Sequence, residues 1–168
     1  MPVSGGVYDL LDTKKDELTH QLMQGVSEIF TTMVGLEHLL LFPAPTEPVT
    51  RFKDCVSSLV GIAGTYNGMV SLHMPSNVAM GAASGMMGME VTELNDDLID
   101  AMGEIASMIA GAFKMQLSKG GLDIQLSIPS VIHGKEYVIS LGNTTDHIAV
   151  RFANDDDWFL VSVAFERA

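Results

Sequence analysis

The stretch DLIDAMGEIASMIAGAFKMQLS, residues 97–118, decides the fold because it has the periodicity of one long amphipathic helix. Its large apolar residues recur every three or four positions and predict the face that packs on the core: Leu98, Met102, Ile105, Ile109 and Phe113. The opposite face carries Asp100, Glu104, Ser107, Gly111 and Lys114. Since Glu104 and Ser107 are i and i+3, both side chains project from one patch of that face.

Gly111 lies one turn beyond Ser107 on the same outer face. A glycine in the middle of a helix costs roughly 1 kcal/mol relative to alanine. Packing inside the chain does not explain such a cost on a solvent-facing side. We therefore expect the backbone of another molecule to approach closely at this point.

The outer face also carries a spaced pattern, Asp100-x3-Glu104-x2-Ser107-x21-Pro129. This pattern resembles the signature [Asp/Ser]-x3-Glu-x2-Asn-x21-Pro of the CheC/CheX/FliY family of chemotaxis phosphatases, and the flanking GEIASMIAGAFK and IQLSIPSVIHGK resemble its CheX branch. Three of the four signature positions match, and Ser107 stands where the family has Asn. The resemblance extends over about Leu18 to Phe165.

Composition sets limits that do not depend on the resemblance. At 168 residues the chain is expected to form one domain, 1–168, and its 47% hydrophobic content is ample for a core. A net charge of −12 argues against binding to nucleic acid. The single cysteine, Cys55, excludes an intramolecular disulfide, and no apolar run approaches the roughly 18 residues of a membrane span. With no recognisable signal peptide, the expected location is the cytoplasm.

Ahead of the central helix, the chain predicts a first helix, a linker and a β-hairpin. The first helix is expected at Asp12–Leu41, with an apolar stripe of Leu18, Leu22, Val26, Ile29, Met33, Leu36 and Leu40. The proline-rich FPAPTEPV at 42–49 predicts a linker. The hairpin is expected to turn at Asn67-Gly68, between the strands Phe52–Ala63 and Met69–Met74.

Around the central helix, a short helix is predicted from Pro75 or Ser76 to about Met87, and Thr92 is the expected N-cap of the central helix. The C-terminal third of the chain has the pattern of strands, with turns at His133–Lys135 and at two later positions. The predicted strands are Asp123–Ile132, Tyr137–Leu141, His147–Ala153 and Trp158–Phe165. The fold class is therefore α+β, an antiparallel sheet of about six strands with long helices packed on one side.

The sequence also contains an internal echo of the central helix. Residues 27–35 align with residues 103–111 and repeat the glutamate and the hydroxyl, as Glu28 and Thr31. Chance agreement over so short a segment remains an alternative. The family that the chain resembles has pseudo-symmetric halves, and under that resemblance Glu28 and Thr31 form a decayed second site.

The resemblance implies a reaction, the hydrolysis of the aspartyl phosphate on a phosphorylated CheY-type receiver. It assigns Glu104 to pairing with the receiver's active-site lysine and gives Ser107 the water-orienting position of the family Asn. Asp100, Gly111 and Pro129 are the expected partner-binding residues, although an ordinary solvated face explains Asp100 equally well. No cofactor of the chain's own and no metal site are expected, since the Mg²⁺ belongs to the receiver.

Two hypotheses remain open at this point. In the first, the chain is a receiver phosphatase that works with a serine in place of the family asparagine. In the second, it is a module that binds and sequesters the receiver and has lost catalysis at Ser107. The resemblance further implies a homodimer formed through the sheets, and the apolar strand Phe159–Phe165 is expected to need cover.

Overall fold

The computed structural model describes residues 15–34, 42–47, 49–119, 123–140, 146–153 and 157–167. Three α-helices are present in this part of the chain: α1 (Lys15–Ile29), which continues as a π-helical segment (Phe30–Val34), α2 (Ser76–Met87) and α3 (Asp96–Lys119). The strands are β1 (Phe42–Pro45), β2 (Arg51–Gly64), β3 (Tyr66–Pro75), β4 (Ile124–Leu126), β5 (Ser130–Val138), β6 (Asp146–Ala153) and β7 (Trp158–Arg167). None of the described helices is long and apolar enough to cross a membrane.

The seven strands form one antiparallel sheet, and the order of its strands is symmetric about a pseudo-twofold axis. The order is β1-β6-β7-β3-β2, and β4 and β5 both pair with the outer side of β2. The first half of the chain supplies β1, β2 and β3, and the second half supplies β4–β5, β6 and β7. Exchanging the halves and reversing the order gives the same sheet, so the axis passes between β3 and β7. The expected α+β fold with pseudo-symmetric halves is confirmed.

The three helices cover one face of this sheet, as predicted. The predicted stripe of α3 is buried, with no member more than 3% exposed, and it meets the inward side chains of the central strands. Val161, Val163 and Phe165 of β7 lie in the same core and are fully buried. The expectation that this strand needs an external cover is therefore wrong, because β7 lies between β3 and β6 and beneath the helices.

The first helix is where the predicted periodicity fails. Leu18, Leu22 and Val26 are buried as expected, but the core then takes Phe30 and Val34, and Met33 is 54% exposed. The π-helical segment adds an extra residue to the turn and so shifts which side chains face inward. The predicted residues beyond Val34, including Leu36 and Leu40, lie outside the described part of the chain.

The predictions of a linker and of the hairpin turn were also wrong in detail. Phe42–Pro45 is a strand paired with β6, and its two prolines are tolerated because it lies at the edge of the sheet. Asn67 and Gly68 lie inside β3, where a side chain at Gly68 would overlap the carbonyl of Ala164 on β7. The glycine is therefore explained by close strand packing, and the chain reverses direction near Thr65 instead.

The edge next to β2 is interrupted where a single strand was predicted. From the pair Ile62–Leu126 to the pair Leu59–Ser130 there are three residue steps along β2 but four along the neighbouring β4–β5 segment. The extra residue is a bulge, and Ser127, Ile128 and Pro129 form the break between β4 and β5. Beyond it, β5 runs without a turn through the predicted turn at His133–Lys135. The other predicted turns lie wholly or largely outside the described residues.

Candidate functional site

Helix α3 begins at a side-chain cap one turn later than predicted. The Asn95 side-chain oxygen accepts a hydrogen bond of 3.0 Å from the backbone N–H of Leu98, so Asn95, and not Thr92, is the N-cap. Asp96 and Asp97 occupy the first turn, where the helix dipole favours negative charge. The cap sets where α3 begins, and the buried stripe sets which face lies on the sheet.

The buried stripe of α3 leaves the signature residues on the outside. Asp100 and Glu104 are exposed, and Ser107 and Gly111 are partly exposed. The predicted grouping of these residues on one outer face is therefore present. Within the described residues, Glu104 has no ion-pair partner, so its carboxylate is available to a cation on another molecule.

Two contacts hold the turn that carries Glu104 against the sheet. The buried hydroxyl of Ser58 on β2 donates a hydrogen bond of 3.0 Å to the carbonyl of Met102. At the next residue, a Cβ added to Gly103 would lie 3.1 Å from Cγ of Pro129. Glycine therefore lets the helix pack directly on the edge break, and the signature proline supports the turn from which Glu104 projects.

Ser107 and Gly111 present an open surface above this turn. The Ser107 hydroxyl forms no hydrogen bond within the described residues, although serine and threonine hydroxyls in helices commonly bond back to their own backbone. A Cβ added to Gly111 would meet no atom of the described residues within 4 Å. Packing within that part of the chain thus gives no reason for Gly111, and the expectation that another backbone approaches there stays a prediction.

The repeated pattern on α1, Glu28 and Thr31, lies in a different helix geometry. Glu28 and Thr31 are both exposed, but the helix changes to π geometry at Phe30, between them. The Thr31 hydroxyl donates a hydrogen bond of 2.8 Å to the carbonyl of Ser27. Thr32 does the same to Glu28, at 2.7 Å. Both hydroxyls are used by the helix itself.

On the sheet face away from the helices lies a buried polar network that sequence reasoning missed. The Ser57 hydroxyl is 2.6 Å from Nδ1 of His73 and 2.7 Å from the hydroxyl of Tyr137. His73 also stacks on Phe52, with ring centroids 4.2 Å apart. Burial lowers the pKa of His73 to about 4, so the ring is neutral at physiological pH. The sequence signal that could have revealed this network is the alternation of polar and apolar residues in β3, where Ser71 and His73 flank a leucine.

Cys55 is buried beside this network, as the apolar strand predicted. Burial raises the pKa of its thiol, partly offset by a hydrogen bond to the backbone of Lys53. A higher pKa leaves less of the reactive thiolate at neutral pH, which fits a small core residue and not a nucleophile. Among the described residues, no group of three or more His, Cys, Asp or Glu is placed to hold a metal ion.

Comparison with known proteins gives a family match and a curated relative. The family model described as "Chemotaxis phosphatase CheX" matches residues 56–153, which is more than half of the chain. The relative, the CheY-P phosphatase CheX of Thermotoga maritima, is 24% identical over 144 residues. That alignment covers 85% of this chain and 92% of the relative.

Solved structures share the fold along most of the chain. The crystal structure of a chemotaxis protein CheX from Desulfovibrio desulfuricans is 29% identical, with a TM-score of 0.74, and the match covers 89% of this chain and 99% of that one. A CheX in complex with CheY, BeF3 and Mg²⁺ from Borrelia burgdorferi is 20% identical, with a TM-score of 0.70, covering 88% and 97%. At that identity, the second likeness concerns the fold alone.

Proposed function

Because the chain belongs to the CheX family of chemotaxis phosphatases, we propose that it hydrolyses the aspartyl phosphate of a phosphorylated CheY-type receiver. One observation carries the proposal: Glu104 and Ser107 project from the outer face of α3, on a helix segment that Ser58 and Pro129 hold against the sheet. The name of the Thermotoga maritima relative, a phosphatase of phosphorylated CheY, supports the same activity.

Glu104 is the docking residue in this proposal. Its exposed carboxylate, which has no ion-pair partner among the residues that the structure describes, meets the active-site lysine that receivers of this type carry, and Asp100 adds negative charge one turn earlier. Gly111 has no side chain, and a Cβ there would meet none of the described residues within 4 Å, so the receiver backbone can approach the helix closely. Together these features set the position and orientation of α3 on the receiver before any chemistry occurs.

Ser107 orients the attacking water. An aspartyl phosphate is already activated and the receiver supplies the Mg²⁺, so the phosphatase contributes by placing water in line with the phosphorus. A hydroxyl can donate and accept hydrogen bonds, as the family's carboxamide does, but it is shorter by a carbonyl unit. The close approach allowed at Gly111, or a second bridging water, makes up the difference.

The experiment is a dephosphorylation assay with candidate receivers from the same genome, charged by a small acyl-phosphate donor in the presence of Mg²⁺. We expect the protein to speed the loss of the receiver's phosphate. A protein that binds the phosphorylated receiver without speeding its decay is the sequestering module, the alternative that the serine at position 107 favours. A protein that neither binds nor dephosphorylates any receiver contradicts the proposal.

The assembly belongs to the same proposal: a symmetric homodimer joined at the outer edge of β5, working in the cytoplasm with its receiver. Within the described residues, the nine-residue β5 pairs only with β2, so one side of its backbone is unpaired. Ile132 and Val138 on this edge are 37% and 56% exposed. An open edge of this length, with two apolar side chains exposed on it, is a template for pairing with a second strand.

The mass in solution tests the dimer. Light scattering at micromolar concentration should give twice the chain mass of 18.1 kDa, and Ile132→Lys should reduce it to the monomer. A lysine on the edge opposes pairing by charge and by its hydration. A wild-type protein with a monomeric mass would contradict the proposed assembly without touching the proposed reaction.

A further inference from the structure

The edge break between β4 and β5 has a rigid backbone. The N–H of Ser127 donates to the carbonyl of Gly61 at 2.9 Å, and the N–H of Gly61 donates to the Ser127 hydroxyl at 2.8 Å. The same hydroxyl donates to the carbonyl of Ile128 at 2.8 Å. Pro129 then packs on Gly103 of α3. The residue between Ser127 and Pro129 is therefore held from both sides.

That residue, Ile128, has the most exposed large apolar side chain in the described part of the chain. It is 85% exposed, and Met115 comes next at 63%. Single exposed apolar residues are ordinary on protein surfaces. This one differs because a bulge and three hydrogen bonds fix its backbone while its side chain projects into solvent. No contact with the described part of the chain accounts for an isoleucine in this place.

The position of Ile128 relates it to the outer face of α3. Its neighbour Pro129 touches Gly103, which precedes Glu104 in the helix and lies one turn before Ser107 on the same side. Ile128, Glu104 and Ser107 therefore border one continuous surface. A charge pair at Glu104 orients a partner, whereas the centre of a specific interface is formed by desolvated apolar anchors.

We propose that Ile128 is the apolar anchor of the receiver-docking surface and inserts into an apolar patch beside the receiver's phosphorylation site. The inference rests on the proposed function, since it requires the receiver to dock on α3. Ile128 contributes affinity and takes no part in the chemistry. Its loss raises the KM for phosphorylated receiver and leaves kcat at saturating receiver unchanged.

The test compares Ile128→Ser with Met33→Ser, which makes a similar change at a 54% exposed apolar residue after α1, away from the outer face of α3 and from the β5 edge. Binding is measured by calorimetry with a CheY-type receiver from the same genome, activated by beryllofluoride and Mg²⁺. We expect Ile128→Ser to raise the Kd about tenfold or more, as burial of an isoleucine side chain implies. Ile128→Leu should restore most of the affinity, and Met33→Ser should change it less than twofold.

Three outcomes overturn the inference in distinguishable ways. Wild-type affinity in Ile128→Ser, together with lost affinity in Glu104→Lys, leaves the proposed function standing and removes Ile128 from the interface. An Ile128→Ser protein that becomes monomeric but binds receiver normally assigns the side chain to the contact between two copies. A wild type that binds no activated receiver removes the proposed function, and this inference with it. Thermal unfolding of both variants checks that neither has lost its fold.

Discussion

The helices α1 and α3 occupy equivalent places in the two halves and carry the same pattern, a glutamate followed three residues later by a hydroxyl. On α3 the helix is regular, and the Ser107 hydroxyl is unbonded within the described residues. On α1 the pattern crosses into π geometry, and the Thr31 hydroxyl is bonded to the carbonyl of Ser27. A shared pattern therefore yields two surfaces with different chemistry, because local helix geometry decides whether the hydroxyl is available.

The sheet shows a second difference between the halves. His73 on β3 pairs with Leu160 on β7, where the two halves meet. The first half contributes a buried histidine hydrogen-bonded to Ser57, and the second half contributes a buried leucine beside it. The first half thus brings a titratable group into this buried layer, next to an apolar residue of the second half.

The largest effect should come from reversing the charge of Glu104 on α3, and the same reversal at Glu28 on α1 is the control. We expect Glu104→Lys to weaken receiver binding on the order of 100-fold or more, because a lysine would face the receiver's lysine. Glu28→Lys makes the same change on α1 and should leave the affinity within about twofold. Calorimetry with activated receiver measures both. Equal losses in the two variants would mean that α1 also docks a receiver.

Comparable in size is the pH dependence of stability that His73 contributes. The folded-state pKa of about 4 lies below the usual 6.5, so the unfolded chain binds the proton more tightly. The corresponding stability is present above pH 6.5 and is lost as the pH falls towards 4, in total about 3 kcal/mol. Denaturant unfolding of wild type and His73→Leu at several pH values isolates this loss from effects common to both. If the free energy of unfolding of the two proteins changed in parallel with pH, the predicted contribution of His73 would be contradicted.

Restoring the family carboxamide should have a smaller but clear effect. We expect Ser107→Asn to raise single-turnover dephosphorylation about tenfold, equivalent to 1.36 kcal/mol of barrier, with a stability change within about 0.5 kcal/mol. Thr31→Asn, on the α1 counterpart, should leave the rate unchanged. If Ser107→Ala is as fast as wild type and Ser107→Asn is slower, Ser107 does not position the water.

The smallest expected effect concerns the support beneath α3. Ser58→Ala removes the buried hydrogen bond to the carbonyl of Met102 and should lower the free energy of unfolding by about 1 kcal/mol. Thr31→Ala removes an exposed hydroxyl bond on α1 and should change it by less than about 0.5 kcal/mol. Chemical denaturation compares the two. Indistinguishable values would show that the Ser58 contact does not stabilise the turn.

Sequence periodicity predicted those parts of the fold in which a single regular helix or strand packs on the core. The stripe of α3 and the outward placement of Glu104 and Ser107 result from a regular helix on a sheet. The π-helical segment was not predictable, since the change of phase depends on how Phe30 and Val34 pack. Gly68 looked like a turn residue because its actual reason, the nearby carbonyl of Ala164, lies on a strand far along the chain.

The site was predictable in its residues and not in its support. The spacing from Asp100 to Pro129 named the residues, but it could not reveal that Pro129 contacts Gly103 at a strand break. That contact depends on a one-residue shift in register. A break of three residues is too short to show in the hydrophobic periodicity of the sequence. The predicted cap at Thr92 failed for a similar reason, because two capping residues in one loop compete and tertiary packing selects Asn95.

The exchange of edge strands between the halves bears on how the protein folds. β1 of the first half pairs with β6 of the second, and β5 of the second half pairs with β2 of the first. Each half therefore completes the sheet of the other, and neither contains all the pairings of its own strands. Contacts between residues this far apart in sequence favour slow folding, since long loops must close before the strands can pair. On the ribosome, β2 must wait for β5, so α3 gains its support at Pro129 only after most of the chain has been made.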